Sequence, residues 1–215
     1  MEGRRCRLTA LLAVLAIVVC AAPLCAQSGS LTGPFIPGTG NWNTLYNGGW
    51  ELGNTSGWTH YTGAGNYVAT QEKAAVGNWS LKSQMDYSAT WELGLWRDIS
   101  GLTVGQTYVL SAFFYTGQAG GTARIDRDHG ISQVAPAYKV DEWQFVWGSW
   151  TATSTDTKVR IFRNKPTNTT DIGMYYDEIA VTPLGAFAPP TVVPEPTSLL
   201  ALAVGLTGLM ARRRK

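Results

Sequence analysis

Between two apolar ends, the chain alternates apolar and polar residues with the period of two that marks a strand with one buried face. Lys158-Val159-Arg160-Ile161-Phe162-Arg163 alternates most cleanly, and Trp91 to Leu95 and Val146 to Thr153 follow the same rule. Tyr108 to Tyr115 has the aromatic and β-branched composition that strands favour. Gly, Asn, Thr and Asp clusters separate these runs, and Gly101 to Gln106 reads as a tight connection between two strands. No stretch between the ends sustains a 3.6-residue period. Many short strands at this spacing predict an all-β fold, an antiparallel β-sandwich of the jelly-roll type, over residues 41–184.

The ends follow a different pattern. Arg4, Arg5 and Arg7 precede an apolar run from Leu8 to Cys20, and Leu24-Cys25-Ala26 offers a small residue before a cut ahead of Gln27. That order predicts a signal peptide helix over residues 1–26. Residues 27–40 read as a flexible leader, and residues 185–196 as an extended Pro-rich linker. The linker ends in Val193-Pro194-Glu195-Pro196. Its prolines bar helix at the residues before them and keep the motif accessible. Residues 197–215 follow as an apolar run closed by Arg212-Arg213-Arg214-Lys215. The fifteen residues of this run, from Thr197 to Ala211, span roughly 22 Å as helix, short of a ~30 Å hydrocarbon core. Length alone therefore leaves a buried helix open. The four terminal cations favour a membrane helix with its basic end in the cytoplasm and the rest of the chain outside.

Val193 to Lys215 resembles the PEP-CTERM sorting signal of Gram-negative bacteria, with three elements matching in order. The resemblance implies recognition by an exosortase-type membrane transpeptidase, with Val193, Pro194, Glu195 and Pro196 as the sorting motif. It implies transient anchoring in the inner membrane, cleavage near that motif, and delivery to the cell surface or its exopolysaccharide matrix.

Removing the end segments changes the apparent chemistry. Cys6, Cys20 and Cys25 all lie in the signal peptide, so the exported region has no disulfide, thiolate nucleophile or Cys-ligated metal. Three cations leave with the signal and four with the tail, and 10 remain against 13 acids. The overall charge of +2 thus belongs to the targeting segments, and no basic footprint for nucleic acid remains. All nine tryptophans lie between Trp42 and Trp150. A domain of about 150 residues buries on the order of 70% of its unfolded surface, so a disulfide-free aromatic core is feasible.

Five separated segments resemble jelly-roll carbohydrate-binding modules of the galactose-binding-like class. Asn47-Gly48-Gly49-Trp50-Glu51, with Gly57-Trp58, resembles their opening, and Gly77 to Lys82 their early strand. Ile99 to Ser111 resembles their central hairpin. Trp143 and Trp150-Thr151-Ala152-Thr153 resemble the late strand, and Tyr175 to Val181 the closing one. The resemblance implies a structural Ca²⁺ held by Glu51 and Asp177 together with carbonyls or waters, since a hard cation takes several oxygens. It leaves the ligand open, because the same fold serves adhesive and structural modules.

Strand phase nominates a glycan face. If Tyr108, Leu110, Ala112 and Phe114 point inward, Phe113 and Tyr115 point outward. The same phase puts Trp96, Trp147, Arg160 and Phe162 outward, and an aromatic outer face invites sugar stacking. Loops or the linker covering those rings as a minor core is the alternative. His60, Tyr61 and Tyr67 lie in a Gly-rich loop and could join a site at the sandwich edge, whereas Trp50, Trp79 and Trp150 fit core positions.

Catalysis is not expected. Glycosidase chemistry needs two carboxylates at a set separation, and Asp126, Asp128, Asp141 and Glu142 cannot be paired from sequence. Asp126-Arg127-Asp128-His129 is a compact titratable cluster that reads best as a solvated turn. No phosphate loop, nucleophile elbow or zinc motif is present. The expectation is an exported, surface-sorted module that binds a polysaccharide or exopolysaccharide without catalysis. The alternatives are a structural or adhesive matrix protein and, more weakly, a glycoside-cleaving enzyme.

Overall fold

The computed structural model describes residues 29–36, 38–61, 66–84, 91–117, 122–127, 131–136, 141–164 and 173–193. The strands, in chain order, begin with β1 (Gly29–Thr32), β2 (Thr59–His60), β3 (Asn66–Thr70) and β4 (Ser80–Gln84). They continue with β5 (Trp91–Ile99), β6 (Thr107–Thr116), β7 (Thr122–Arg127) and β8 (Ile131–Pro136). The last are β9 (Trp143–Thr151), β10 (Thr157–Asn164) and β11 (Met174–Pro183), followed by a 3₁₀ turn at Leu184–Ala186. They form a six-stranded sheet, β1-β9-β6-β11-β4-β3, and a five-stranded sheet, β2-β5-β10-β7-β8. Every strand pairing is antiparallel. The fold is the expected all-β jelly-roll sandwich. The expected signal peptide over residues 1–26 and the segment from Pro194 to Lys215 lie outside the described residues.

The predicted alternation sets the core. Leu110, Ala112 and Phe114 of β6, Val159 and Ile161 of β10, and Tyr176 of β11 are buried between the sheets. A fully buried side chain of this size contributes about 1.5–3 kcal/mol. Tyr176 also ties the layers together, for its hydroxyl donates to the Phe162 carbonyl 2.9 Å away. Trp50 and Trp150 join this core, and Trp79 packs against it. Tyr67 is buried there too, not placed at an edge site.

The segment from Ile99 to Ser111 is not a hairpin. β5 and β6 belong to different sheets, and residues 101–106 climb between them. Leu102 is buried in the core, and its N–H bonds to the Thr155 carbonyl at 2.9 Å. A buried residue in mid-connection carries the chain across the sandwich instead of back along one sheet.

The leader and linker form structure with each other. β1 pairs with the edge of β9, and Phe35 bridges Val192 while Asn41 bridges Ala188. Backbone bonds of 2.8 Å join Ile36 N–H to Thr191 O and Val193 N–H to Pro34 O. This ribbon crosses the outer face of the six-stranded sheet. There Phe35, Trp42, Leu184 and Phe187 close over Val109, Phe113 and Phe145 as a second, smaller core. The folded unit therefore extends beyond residues 41–184 at both ends.

The Asn47-Gly48-Gly49 turn has a local cause. Ile179 and Leu45 exchange backbone bonds with the turn at the register shift of β11. A Cβ on Gly48 would lie 2.5 Å from the Ile179 carbonyl oxygen. Only glycine permits that approach.

Candidate functional site

The six residues assigned to one glycan face lie on two opposite faces. Phe113, Tyr115 and Trp147 sit on the outer side of the six-stranded sheet, and Trp96, Arg160 and Phe162 on the outer side of the five-stranded sheet. The phase of each strand was legible, but strand phase carries no information about which sheet a strand joins.

On the six-stranded side the rings are covered. Phe113 is 1% exposed beneath Phe35 and Trp42, with centroids 5.2 and 5.7 Å away. Tyr115 is 7% exposed, and its hydroxyl donates to Asp141 Oδ1 at 2.8 Å. Trp147 is partly buried between Phe145 and Phe187, at 5.8 and 6.1 Å. A Cβ on Gly29 would come within 2.2 Å of the Trp147 ring. In this structure Phe113 and Tyr115 offer no surface for a sugar: the leader and linker cover Phe113, while Trp143, Tyr175 and Lys73 close around Tyr115.

The five-stranded side is different. β10 and β5 pair with Arg160 opposite Trp96, so the two side chains are neighbours on one face. Trp96 is partly exposed. Tyr61 lies beside it, with centroids 6.2 Å apart. Lys158 Nζ stands 3.8 Å from the Trp96 ring centroid, and it also meets Asp98 Oδ1 at 3.9 Å. The Arg160 guanidinium lies 5.4 Å from the ring centre of Phe162, which is itself 9% exposed. Phe162 thus serves more as a floor than as a stacking plate. Lys158 was missed from sequence, although it shares the phase of Arg160 and Phe162. His60 points elsewhere, within 3.1 Å of Thr55 Oγ1. Asp128 and His129 of the acidic cluster lie outside the described residues.

Glu51 and Asp177 grip consecutive parts of one loop. Glu51 Oε1 accepts the N–H groups of Asn78 and Trp79 at 2.9 and 3.0 Å. Asp177 Oδ2 accepts those of Ala75 and Val76 at 2.8 and 3.0 Å, and Oδ1 accepts that of Glu178 at 2.8 Å. Gly77 lies between these pairs, and a Cβ there would be 2.2 Å from Glu51 Oε1. Asp177 is fully buried. Burial pushes its carboxyl up from 3.8 to about 8, against the pull of the Val76 and Ala75 N–H groups and with a small push from Glu178. A buried carboxylate in this state is one that a cation would stabilise. Both carboxylates present oxygens of the kind a hard cation takes, although Glu51 Oε1 and both Asp177 oxygens already accept backbone N–H groups. The backbone would have to supply the rest, since among the described residues no group of three or more acidic, histidine or cysteine side chains is placed to hold a metal.

At its far end the described chain stops at Val193, held to Pro34, with the Pro-Glu-Pro motif next in sequence. Residues 192–215 match the PEP-CTERM protein-sorting motif. The PEP-CTERM match marks the chain as an exported, sorted protein. No helix among the described residues is long and apolar enough to cross a membrane. No curated protein matches the sequence. Among solved structures, the module TmCBM61 in complex with β-1,4-galactotriose is similar, with TM-score 0.52 and 16% identity, covering 66% of this chain and 98% of that one. The C-terminal family 22 carbohydrate-binding module of Clostridium thermocellum Xyn10B gives TM-score 0.48 and 18% identity, covering 67% and 96%. The CBM22-1 xylan-binding domain of Paenibacillus barcinonensis Xyn10C gives 0.46 and 16%, covering 68% and 97%. At these identities the likeness is one of fold.

Proposed function

We propose that this PEP-CTERM protein binds carbohydrate without catalysis, at the outer face of its five-stranded sheet. The observation that carries the reading is the partly exposed Trp96, flanked by Tyr61, Lys158 and Arg160 on the outer face of the sheet. An indole presents a face for sugar C–H groups, and the neighbouring donors satisfy hydroxyls. The fold it shares with TmCBM61 supports this reading. The expected partner is a polysaccharide or exopolysaccharide at the cell surface of a Gram-negative bacterium. An exosortase-type transpeptidase would act on Val193, Pro194, Glu195 and Pro196 while the C-terminal helix holds the chain in the inner membrane.

A glycan array followed by calorimetry tests the binding. Trp96→Ala is expected to abolish measurable binding, while Trp147→Ala, on the opposite face, keeps the specificity of the parent. Binding that survives Trp96→Ala rules out this face. Silence on every glycan favours a structural matrix role, and release of reducing ends would make the protein an enzyme.

A structural Ca²⁺ between Glu51, Asp177 and the 75–79 loop is part of the same proposal. Support comes from the buried Asp177 carboxyl, whose ionised form burial disfavours and a bound cation would favour. Added Ca²⁺ is expected to raise the Tm and EDTA to lower it; an unmoved Tm in both sinks the calcium site.

A further inference from the structure

The outward side of the leader–linker ribbon is apolar at the point where the chain leaves for its expected membrane segment. Phe35 packs on Phe113, and Val192 is bridged to it. Alternation then turns Pro34, Ile36, Thr191 and Val193 outward, and all four are exposed. Ile36 is 38% and Val193 40% exposed. They are diagonal neighbours, since Thr191 O accepts from Ile36 N–H and Pro34 O from Val193 N–H, each at 2.8 Å. Beside Ile36 a cavity of about 370 Å³ opens between the ribbon and the loop at residues 75–77. Val76, 40% exposed, stands on the loop side of it. No residue lining this cavity is charged. A run of exposed aliphatic side chains around one uncharged opening marks a surface that meets something.

The length of chain beyond Val193 says what it meets. Only Pro194, Glu195 and Pro196 separate Val193 from Thr197, where the apolar run begins. Those four Cα steps reach at most about 14 Å. The headgroup layer on one side of a bilayer is itself ~5–8 Å deep. With the run in the bilayer, Val193 and the ribbon lie in that layer or just above it. Aliphatic side chains gain by leaving water there, and a surface without charges has none to desolvate. The Trp96 plate is on the opposite side of the sandwich, so in this pose it faces away from the membrane.

We propose that Ile36, Val76 and Val193 form a membrane-resting surface whose partner is the interfacial layer of the bilayer that holds the tail. This rests on the reading of residues 197–215 as a membrane helix. The exposed parts of three aliphatic side chains hold a free protein on a bilayer only weakly. The short tether makes the contact effective by raising its local concentration to roughly millimolar. Cleavage at the sorting motif therefore frees the module from the lipid surface as well as from its anchor.

The test places the signal-processed chain, tail intact, in nanodiscs of zwitterionic phospholipid carrying a nitroxide at the headgroup level. That chain has no cysteine, so Val76→Cys takes a single fluorescent label. Thr59→Cys, opposite Trp96 in register, labels the other face. The lipid nitroxide is expected to quench the label at position 76 and to leave the one at 59 unquenched. Ile36→Glu should abolish quenching at 76 with the melting temperature unchanged, and added salt should leave the quenching of the parent chain standing. Equal quenching at both positions, or none at 76, overturns the resting surface and leaves the membrane helix in place. Quenching that salt abolishes shows an electrostatic contact and overturns the apolar one. A chain that does not enter the nanodisc overturns the helix and the surface together. A label at 76 shielded only when an exosortase-type transpeptidase is added makes this a protein contact, which also overturns the proposal.

Discussion

Asp177 shows how one buried group couples the fold to solution conditions. Its folded-state pKa is raised to about 8 from 3.8, so between those values the folded chain holds a proton that the unfolded chain has released. Stability from this residue is full below the unfolded value and is lost as pH rises through the folded one. In EDTA, the melting temperature is expected to fall as pH goes from 5 to 8, and Asp177→Asn should flatten that slope. Glu72 works in the opposite direction, held below 4.5 by hydrogen bonds from Lys82 and Tyr175. Its contribution is lost on acidification and stays clear of the Asp177 window. Tyr176 acts through a single bond across the sandwich. Tyr176→Phe should cost about 1 kcal/mol in urea unfolding with an unchanged m-value. From sequence, Tyr176 was legible only as part of the closing strand from Tyr175 to Val181. That its hydroxyl meets Phe162 depends on two strands far apart in the chain lying in facing sheets.

At the scale of elements, the leader–linker ribbon gives the outer aromatic face of the six-stranded sheet its role. Trp42 packs on Phe113 and Phe145 and donates to Glu178 Oε2 at 2.9 Å. Trp42→Ala should therefore cost about 2 kcal/mol. Removing residues 27–40 should cost more and raise hydrophobic-dye binding, because Phe113 and Phe145 lose their cover; an unchanged melting curve would make the ribbon incidental. The same elements explain why the candidate glycan face was only half legible. Phe113 and Trp96 look alike in sequence, each an aromatic out of phase with a buried neighbour. One lies under a strap and the other does not. The strap is made by backbone bonds between residues 34–41 and 188–193, and backbone groups carry no side-chain pattern to read.

At the scale of the whole molecule, the ribbon runs to Val193, the residue before Pro194-Glu195-Pro196. Little free chain separates the folded unit from the sorting motif. Mass spectrometry of the surface form is expected to show a chain starting at Gln27 and lacking the residues after the motif; a retained tail would make it a plain anchor. Such a chain contains no cysteine, so reductant should leave its unfolding curve unchanged.

The sequence by itself determined what local periodicity and local chemistry can encode. Alternation set each strand's buried side, because successive Cβ atoms point to opposite faces. The order of basic, apolar and proline-flanked segments marked the ends, because those signals are read along an extended chain. Tertiary structure alone decided what long-range pairing controls. It split the six outward residues between two sheets and buried Phe113 and Tyr115. It brought Glu51 and Asp177 to one loop. It also set Lys158 on the Trp96 ring. Neither strand partner nor sheet membership has a local signature, since both follow from which distant segments bury the most surface together.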